Sequence, residues 1–124
     1  MSATTFTEYV QEIQSLLHEI ISAGNGHIVD LHIDPRSNLR GYIAGSLQFN
    51  DTSELHFREF IDMSQPAVRV MYAYHYRDRH NNLIFGYDNA AHKPPLPQPD
   101  HKHTADAVEL SAAPSLRQVL DEIL

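Results

Sequence analysis

Histidines are concentrated in one part of this 124-residue chain. The chain has nine, and five of them lie between residues 75 and 103: His75, His80, His92, His101 and His103. Imidazole is the side chain whose ordinary pKa is closest to neutral pH, so it can both take and give a proton there. If the protein has catalytic chemistry, we therefore expect it in this stretch.

Two carboxylates, Asp88 and Asp100, lie among these histidines. Together with His92, His101 and His103 they are the ligand types that zinc, nickel, manganese and iron bind. His101 and His103 are two residues apart, so an extended segment would point both in the same direction. No cysteine and no H-E-x-x-H motif accompanies them. A metal site, a catalytic or RNA-binding role, and solvated loop histidines therefore all stay open.

A second group of polar residues lies on two predicted strands. Arg58 has the opposite parity to the apolar residues around it, and with His75 and Arg77 it could form a positive patch that suits a phosphate. Glu59 has the apolar parity, where a carboxylate is costly unless it is paired. We expect an arginine or a tyrosine hydroxyl as the partner of Glu59.

Aromatic residues recur with the same parity over two predicted strands: Tyr72, Tyr74, Tyr76, Phe85 and Tyr87. Such a row on an open sheet surface could stack unpaired bases. More often it forms the core beneath a helix, with the hydroxyl groups at the edge. We favour the core because two amphipathic helices need an apolar face on which to pack.

The periodicity of apolar residues defines the elements that position these groups. A helix is predicted from Phe6 to Ile21, with a capping box from Thr5 to Glu8 and a stop at Gly24. Five strands with short turns between them follow, and this spacing favours an antiparallel meander. Their predicted ranges are 29–34, 39–49, 55–61, 68–77 and 83–87.

Residues 88–113 carry four prolines between positions 94 and 99 and are predicted to form one long Pro/His-rich loop. Strand five should end near Tyr87, and residues 89–104 should lie on the surface without regular structure. Pro114 then opens a last helix. The expected fold class is α+β: a single domain, 1–124, in which an antiparallel sheet of about five strands carries both helices on one face.

The overall composition narrows the function classes. The net charge of −7 argues against a general nucleic-acid-binding surface, although a local basic groove is compatible with it. The sequence has no cysteine and no N-terminal leader pattern, which predicts a cytoplasmic protein. It has no run of 18 apolar residues, so we expect no membrane span.

Several segments share their order and spacing with one family. They are 55–60 (LHFREF), 74–78 (YHYRD), 82–85 (NLIF), 87–90 (YDNA), His92, Pro94, 96–97 (LP), 101–103 (HKH) and 114–120 (PSLRQVL). In series they resemble the TumE family, small prokaryotic proteins on the toxin side of type II toxin–antitoxin modules. The chain has Asp100 where the resemblance leads us to expect a further histidine.

The resemblance implies a toxin whose partner is a helix-turn-helix antitoxin and whose activity is RNA cleavage without a metal or other cofactor. Attack by an RNA 2′-hydroxyl needs a base, an acid and a cation over the phosphate. We expect catalysis by His75, His101 and His103, and substrate binding by Arg58, Arg77, Lys102, Tyr76 and His92.

Two alternatives stand beside this hypothesis. The chain could be a non-catalytic module that binds a protein partner with a basic face, or a metal-binding protein that uses the histidine-rich loop. A homo-oligomer is compatible with every one of these functions.

Overall fold

The computed structural model describes residues 3–90 and 100–124. In them, two helices enclose a run of seven strands along the chain. The elements are α1 (Phe6–Ser22), β1 (Gly26–Pro35), β2 (Arg40–Phe49), β3 (Glu54–Asp62), β4 (Arg69–Arg77), β5 (Leu83–Asp88), β6 (His101–Thr104), β7 (Val108–Leu110) and α2 (Leu116–Ile123). Neither of these helices is long and apolar enough to cross a membrane.

The seven strands form one antiparallel sheet in sequence order, from β1 at one edge to β7 at the other. The α+β class and the meander are therefore confirmed, whereas the expected number of about five strands was too low. The two additional strands lie in the segment that we predicted to be one loop.

The prediction of an irregular surface segment over 89–104 is wrong for its last part. Residues 101–104 pair with β5, from Asp88 opposite His101 to Phe85 opposite Thr104. A tight turn, in which the Thr104 amide donates to the Ala107 carbonyl at 2.9 Å, then leads into β7. The sequence His-Lys-His-Thr lacks an apolar alternation, but its backbone satisfies the open edge of β5. The prolines at 94–99 lie outside the described residues.

The hairpin between β4 and β5 forms where the sequence predicted it. Asp78 Oδ1 accepts from the amides of His80 at 2.8 Å and Asn82 at 2.9 Å, and Asn81 takes a positive φ of 66°. This is the local geometry that Asp and Asn favour in turns. It ends β4 and starts β5 in the register that brings His75 opposite Gly86.

Both helices begin at capped positions. The Thr5 hydroxyl accepts from the Glu8 amide, as predicted, and Gly24 at φ 75° ends α1. Ser115 caps α2 in a reciprocal capping box with Gln118. Pro114 therefore precedes α2 and does not open it, because Ser115 supplies the hydrogen bond that an exposed helix start needs.

Both helices and one face of the sheet share a single hydrophobic core. All five members of the aromatic row are buried in it, which confirms the core interpretation. Glu59 is completely buried on the same face and accepts hydrogen bonds from the hydroxyls of Tyr9 and Tyr74. Arg69 donates to the Tyr74 hydroxyl at 2.8 Å. The expected tyrosine partner of Glu59 is therefore confirmed, and burial beside this carboxylate raises the pKa of both tyrosines.

The opposite face of the sheet carries the polar residues. Because side chains alternate between the faces of a strand, helix-facing Tyr74 and Tyr76 leave Ala73, His75 and Arg77 on this second face. We call it the polar face. The candidate site lies on it.

Candidate functional site

Strand register brings the catalytic candidates together on the polar face. In one row across the sheet, His75 lies opposite Gly86, and Gly86 lies opposite His103. In the next row, Asp88 lies between Ala73 and His101. Side chains from β4, β5 and β6 therefore meet at one point.

Asp88 is the centre of this cluster. Its Oδ1 accepts from His101 Nε2 at 2.6 Å and from the Ala90 amide at 3.1 Å. Its Oδ2 is 3.2 Å from His103 Nε2 and 3.8 Å from His75 Nε2. One carboxylate thus contacts or closely approaches three imidazoles, and such a contact fixes the orientation of a histidine ring.

The three imidazoles differ in their access to solvent. The side chain of His101 is 0% exposed, whereas those of His103 and His75 are 26% and 38% exposed. A substrate can therefore reach His75 and His103 but not His101. The ring of His101 packs edge-on against that of His103, with their centroids 4.7 Å apart.

Gly86 makes room for His75. A Cβ atom at Gly86 would lie 2.8 Å from His75 Cδ2, closer than real Cβ contacts allow. The imidazole thus passes directly over the backbone of β5 on its way towards Asp88. A larger residue at this position would push the ring away.

The surroundings of His75 lower its pKa below the ordinary value of 6.5. Burial has the largest effect, because it disfavours the charged imidazolium. Asp88 acts in the opposite direction, and the positive charges of Arg77 and Arg58 add to the lowering. The lowered pKa favours the unprotonated form of His75 near neutral pH.

Two of the predicted substrate-binding residues lie near this cluster. Arg58 is exposed on β3 and lies opposite Ala73, in the row that contains Asp88. Arg77 is on the same strand and face as His75, and its Nη1 donates to the Asn81 carbonyl at 3.3 Å.

Two other predicted residues lie on the helix-facing side. Lys102 pairs with Glu122 of α2 at 2.8 Å, and its ammonium lies over the rings of Phe85 and Tyr87 at 5.2 and 5.0 Å. Tyr76 is buried, and its hydroxyl is 2.8 Å from Ser53 Oγ. Neither residue is near His75 on the polar face, and His92 is outside the described residues.

Asp88, His101 and His103 are also the described residues whose types and distances could hold a metal ion. Their ligand atoms all lie within 4.8 Å of one another. Asp100, the other carboxylate of the predicted set, instead accepts from the Tyr72 hydroxyl at 2.7 Å. At 2.6 Å, His101 Nε2 and Asp88 Oδ1 are within direct hydrogen-bonding distance of each other.

We predict that protein purified without a histidine tag carries no stoichiometric transition metal, because Asp88 already binds His101 directly. Elemental analysis by plasma mass spectrometry measures this, with His56→Ala as a control outside the cluster. One equivalent of zinc or nickel that is lost in His101→Ala would instead establish a metal centre here.

A family model described as toxin TumE matches residues 17–124, which include every residue of this cluster. The chain belongs to the TumE family. No curated protein and no solved structure matches it. As a TumE-family toxin it is the toxin component of a toxin–antitoxin system, and an antitoxin is therefore its partner.

The sequence interpretation missed a concavity beside His75 in this TumE-family toxin. It has a volume of ≈ 480 Å³, lies on the polar face, and is lined by residues of β1 to β4. Of the lining residues, only Arg58 and His75 were predicted as site residues. Strand parity could have identified more, because His56 shares the parity of Arg58. The polar lining residues are Asp30, His32, Tyr42, Ser46, His56, Arg58 and His75.

Proposed function

We propose that the toxin is a metal-independent ribonuclease that stops growth by cleaving RNA. One observation carries this proposal: two solvent-accessible imidazoles, His75 and His103, approach the same oxygen of Asp88. A pair of neighbouring imidazoles is the simplest acid–base set for breaking a phosphodiester bond near neutral pH.

His75 is the general base of the proposed reaction and His103 the general acid. The RNA 2′-hydroxyl transfers its proton to His75 while the 2′-oxygen attacks phosphorus. The bond from phosphorus to the 5′-oxygen breaks, and that oxygen takes a proton from His103. The products are a 2′,3′-cyclic phosphate and a 5′-hydroxyl end. The lowered pKa of His75 supports its role as base.

The remaining residues act on this pair or on the phosphate. His101 is a positioning residue, because it is fully buried and binds the far oxygen of Asp88. Asp88 in turn orients His103. Arg58 and Arg77 lie on the same face and can stabilise the charge that develops on the phosphoryl oxygens.

The test is cleavage of a labelled RNA by untagged protein in the presence of EDTA. We expect cleavage that EDTA does not reduce, products with cyclic phosphate and 5′-hydroxyl ends, and no cleavage where the attacking nucleotide is 2′-deoxy. Activity that requires Mg²⁺, or products with 5′-phosphate ends, would rule out this mechanism.

The pH dependence of cleavage follows from the lowered pKa of His75. The base must be unprotonated, so the acidic limb of the rate profile should lie below the ordinary imidazole value of 6.5. In Arg77→Gln a positive charge near His75 is removed, so the acidic limb of the kcat/KM profile should move to higher pH. Arg77→Lys keeps the charge and serves as the control. An unchanged acidic limb in Arg77→Gln would argue against His75 as the base.

Substitution at Gly86 tests the position of His75 without changing any catalytic group. In Gly86→Ala the new methyl group displaces the imidazole, and a shift of about 1 Å can reduce the rate by a factor on the order of 10². We expect this loss in kcat. The control is Gly24→Ala, which strains the backbone at φ 75° but leaves His75 in place, so it reports the effect of lost stability alone. A fully active, folded Gly86→Ala variant would contradict the proposed geometry.

We further propose that the antitoxin is a helix-turn-helix protein and that the toxin acts in the cytoplasm. The family resemblance of the sequence supports both. Co-expression with the adjacent gene should restore growth, and purification of the pair would give the stoichiometry and show whether the toxin self-associates. Growth arrest that the adjacent gene does not relieve would contradict this pairing.

A further inference from the structure

The concavity on the polar face begins at His75, which is itself a member of the Asp88 cluster, and extends across β3 and β2 to β1. Its volume of ≈ 480 Å³ is within the range of small-molecule sites, about 300–1,000 Å³. It is therefore large enough for a nucleotide.

Small residues produce its depth. Arg58 lies opposite Ala44 on one side and Ala73 on the other. These methyl groups leave space on both sides of the arginine in the middle of the sheet. The sheet surface therefore lies low on both sides of the guanidinium, which gives the concavity its depth.

The charge of the concavity differs from that of the whole chain. It contains Arg58 and three histidines, and among its lining residues Asp30 is the one carboxylate. Arg58 is exposed, and in the described part of the chain it has no ion-pair partner. An exposed, unpaired guanidinium suits a phosphate. With its histidines neutral, the concavity has no net charge, because Arg58 balances Asp30, whereas the whole protein has a net charge of −7.

The far end of the concavity offers aromatic surface and a hydrogen-bonding pair. The rings of His32 and Tyr42 lie 6.3 Å apart and are inclined by 59°. Ser46 Oγ and His56 Nδ1 are 2.8 Å apart and hydrogen-bond each other, which orients the exposed imidazole of His56 at this end. Aromatic rings stack on unpaired bases, and such polar pairs bind base edges.

We infer that this concavity binds the nucleotide next to the scissile bond of a single-stranded RNA. The base lies against Tyr42 and His32, and the phosphate that follows it lies between Arg58 and His75. This inference rests on the proposed ribonuclease function and assigns its substrate subsite. The groove has room for an unpaired base, whereas a duplex holds its bases stacked and out of reach.

Binding of a short 2′-O-methyl oligonucleotide, which cannot be cleaved, tests the inference separately from catalysis. Fluorescence anisotropy gives its Kd. We expect Tyr42→Ala to raise Kd on the order of tenfold, whereas Tyr42→Phe keeps the ring and the affinity. Arg58→Ala should also lower the slope of log K against log salt by about 0.7, because one phosphate contact is lost.

His32→Ala has a matched control in His27→Ala, since both histidines are exposed on β1 but His27 lies outside the concavity. We expect weaker binding only for the first. Thermal melting verifies that each variant is folded, and His32→Ala and Arg58→Ala suffice if Tyr42→Ala does not fold.

The outcomes separate the two proposals. If the oligonucleotide binds with an affinity that depends on Tyr42, His32 and Arg58, but ordinary RNA is not cleaved, the subsite proposal stands and the ribonuclease proposal is rejected. If the protein cleaves RNA but its oligonucleotide affinity is unchanged in all three alanine variants, the subsite proposal is rejected and the ribonuclease proposal stands. No measurable oligonucleotide affinity, or equal affinity for a duplex, also rejects the subsite.

Discussion

Alanine at His75 or His103 should reduce RNA cleavage by a factor on the order of 10²–10⁴, enough to abolish growth arrest on induced expression. Each change removes an imidazole that approaches Asp88 Oδ2 from the solvent side and leaves the backbone pairing of its strand intact. The measurements are single-turnover cleavage and growth after induction. His18→Ala and His27→Ala, at two exposed histidines, are the controls.

His101→Ala should combine loss of activity with loss of stability, because it removes the 2.6 Å hydrogen bond that holds the buried side of Asp88. Thermal melting distinguishes this variant from the other two. If all three histidine variants stay folded and remain as toxic as the parent, catalysis by this cluster is ruled out. The protein would then act by binding a partner.

Glu59→Ala should lower the free energy of unfolding by about 3–5 kcal/mol, the range typical of removing one member of a buried polar network. The substitution leaves the hydroxyls of Tyr9 and Tyr74 without their acceptor inside the core. It also separates Arg69 from the carboxylate to which Tyr74 connects it. Urea unfolding measures the change as a shift of the midpoint concentration, while the slope of the unfolding free energy against urea concentration stays constant.

Two further substitutions make this prediction specific. Glu54→Ala, on the same strand but partly exposed, should stay within about 0.5 kcal/mol of the parent. Glu59→Gln keeps one oxygen acceptor and should be less destabilising than Glu59→Ala. A Glu59→Ala variant that unfolds at the parental midpoint would show that the network contributes nothing to stability.

Local rules were sufficient for most of the fold. The cap at Thr5, the stop at Gly24 and the turn at Asp78 each depend on hydrogen bonds within a few residues, which sequence patterns record directly. Apolar alternation likewise separated the helix-facing residues of β4, such as Tyr74, from His75 on the other face. The paired state of Glu59 was predictable too, because a lone buried carboxylate is too costly to persist.

The segment after β5 could not be predicted in this way. β6 contains no apolar residue, so its strand character depends on the free edge of β5 rather than on its own composition. Once it is recognised as a strand, alternation puts His101 and His103 on the polar face and turns Lys102 towards α2. Lys102 was expected to lie beside these histidines because residues 101–104 were predicted to be a loop, in which side chains do not alternate between two faces.

The sequence by itself determined which residue types could do chemistry: a set of histidines, a carboxylate at Asp88, and arginines with polar-face parity. Only the tertiary structure decided which of them meet. The register of β4, β5 and β6 brings His75, His103 and buried His101 to Asp88, and the small side chains beside Arg58 open the adjacent concavity. Register is a property of pairing between distant segments, since it depends on which backbone groups and side-chain faces fit together across the sheet.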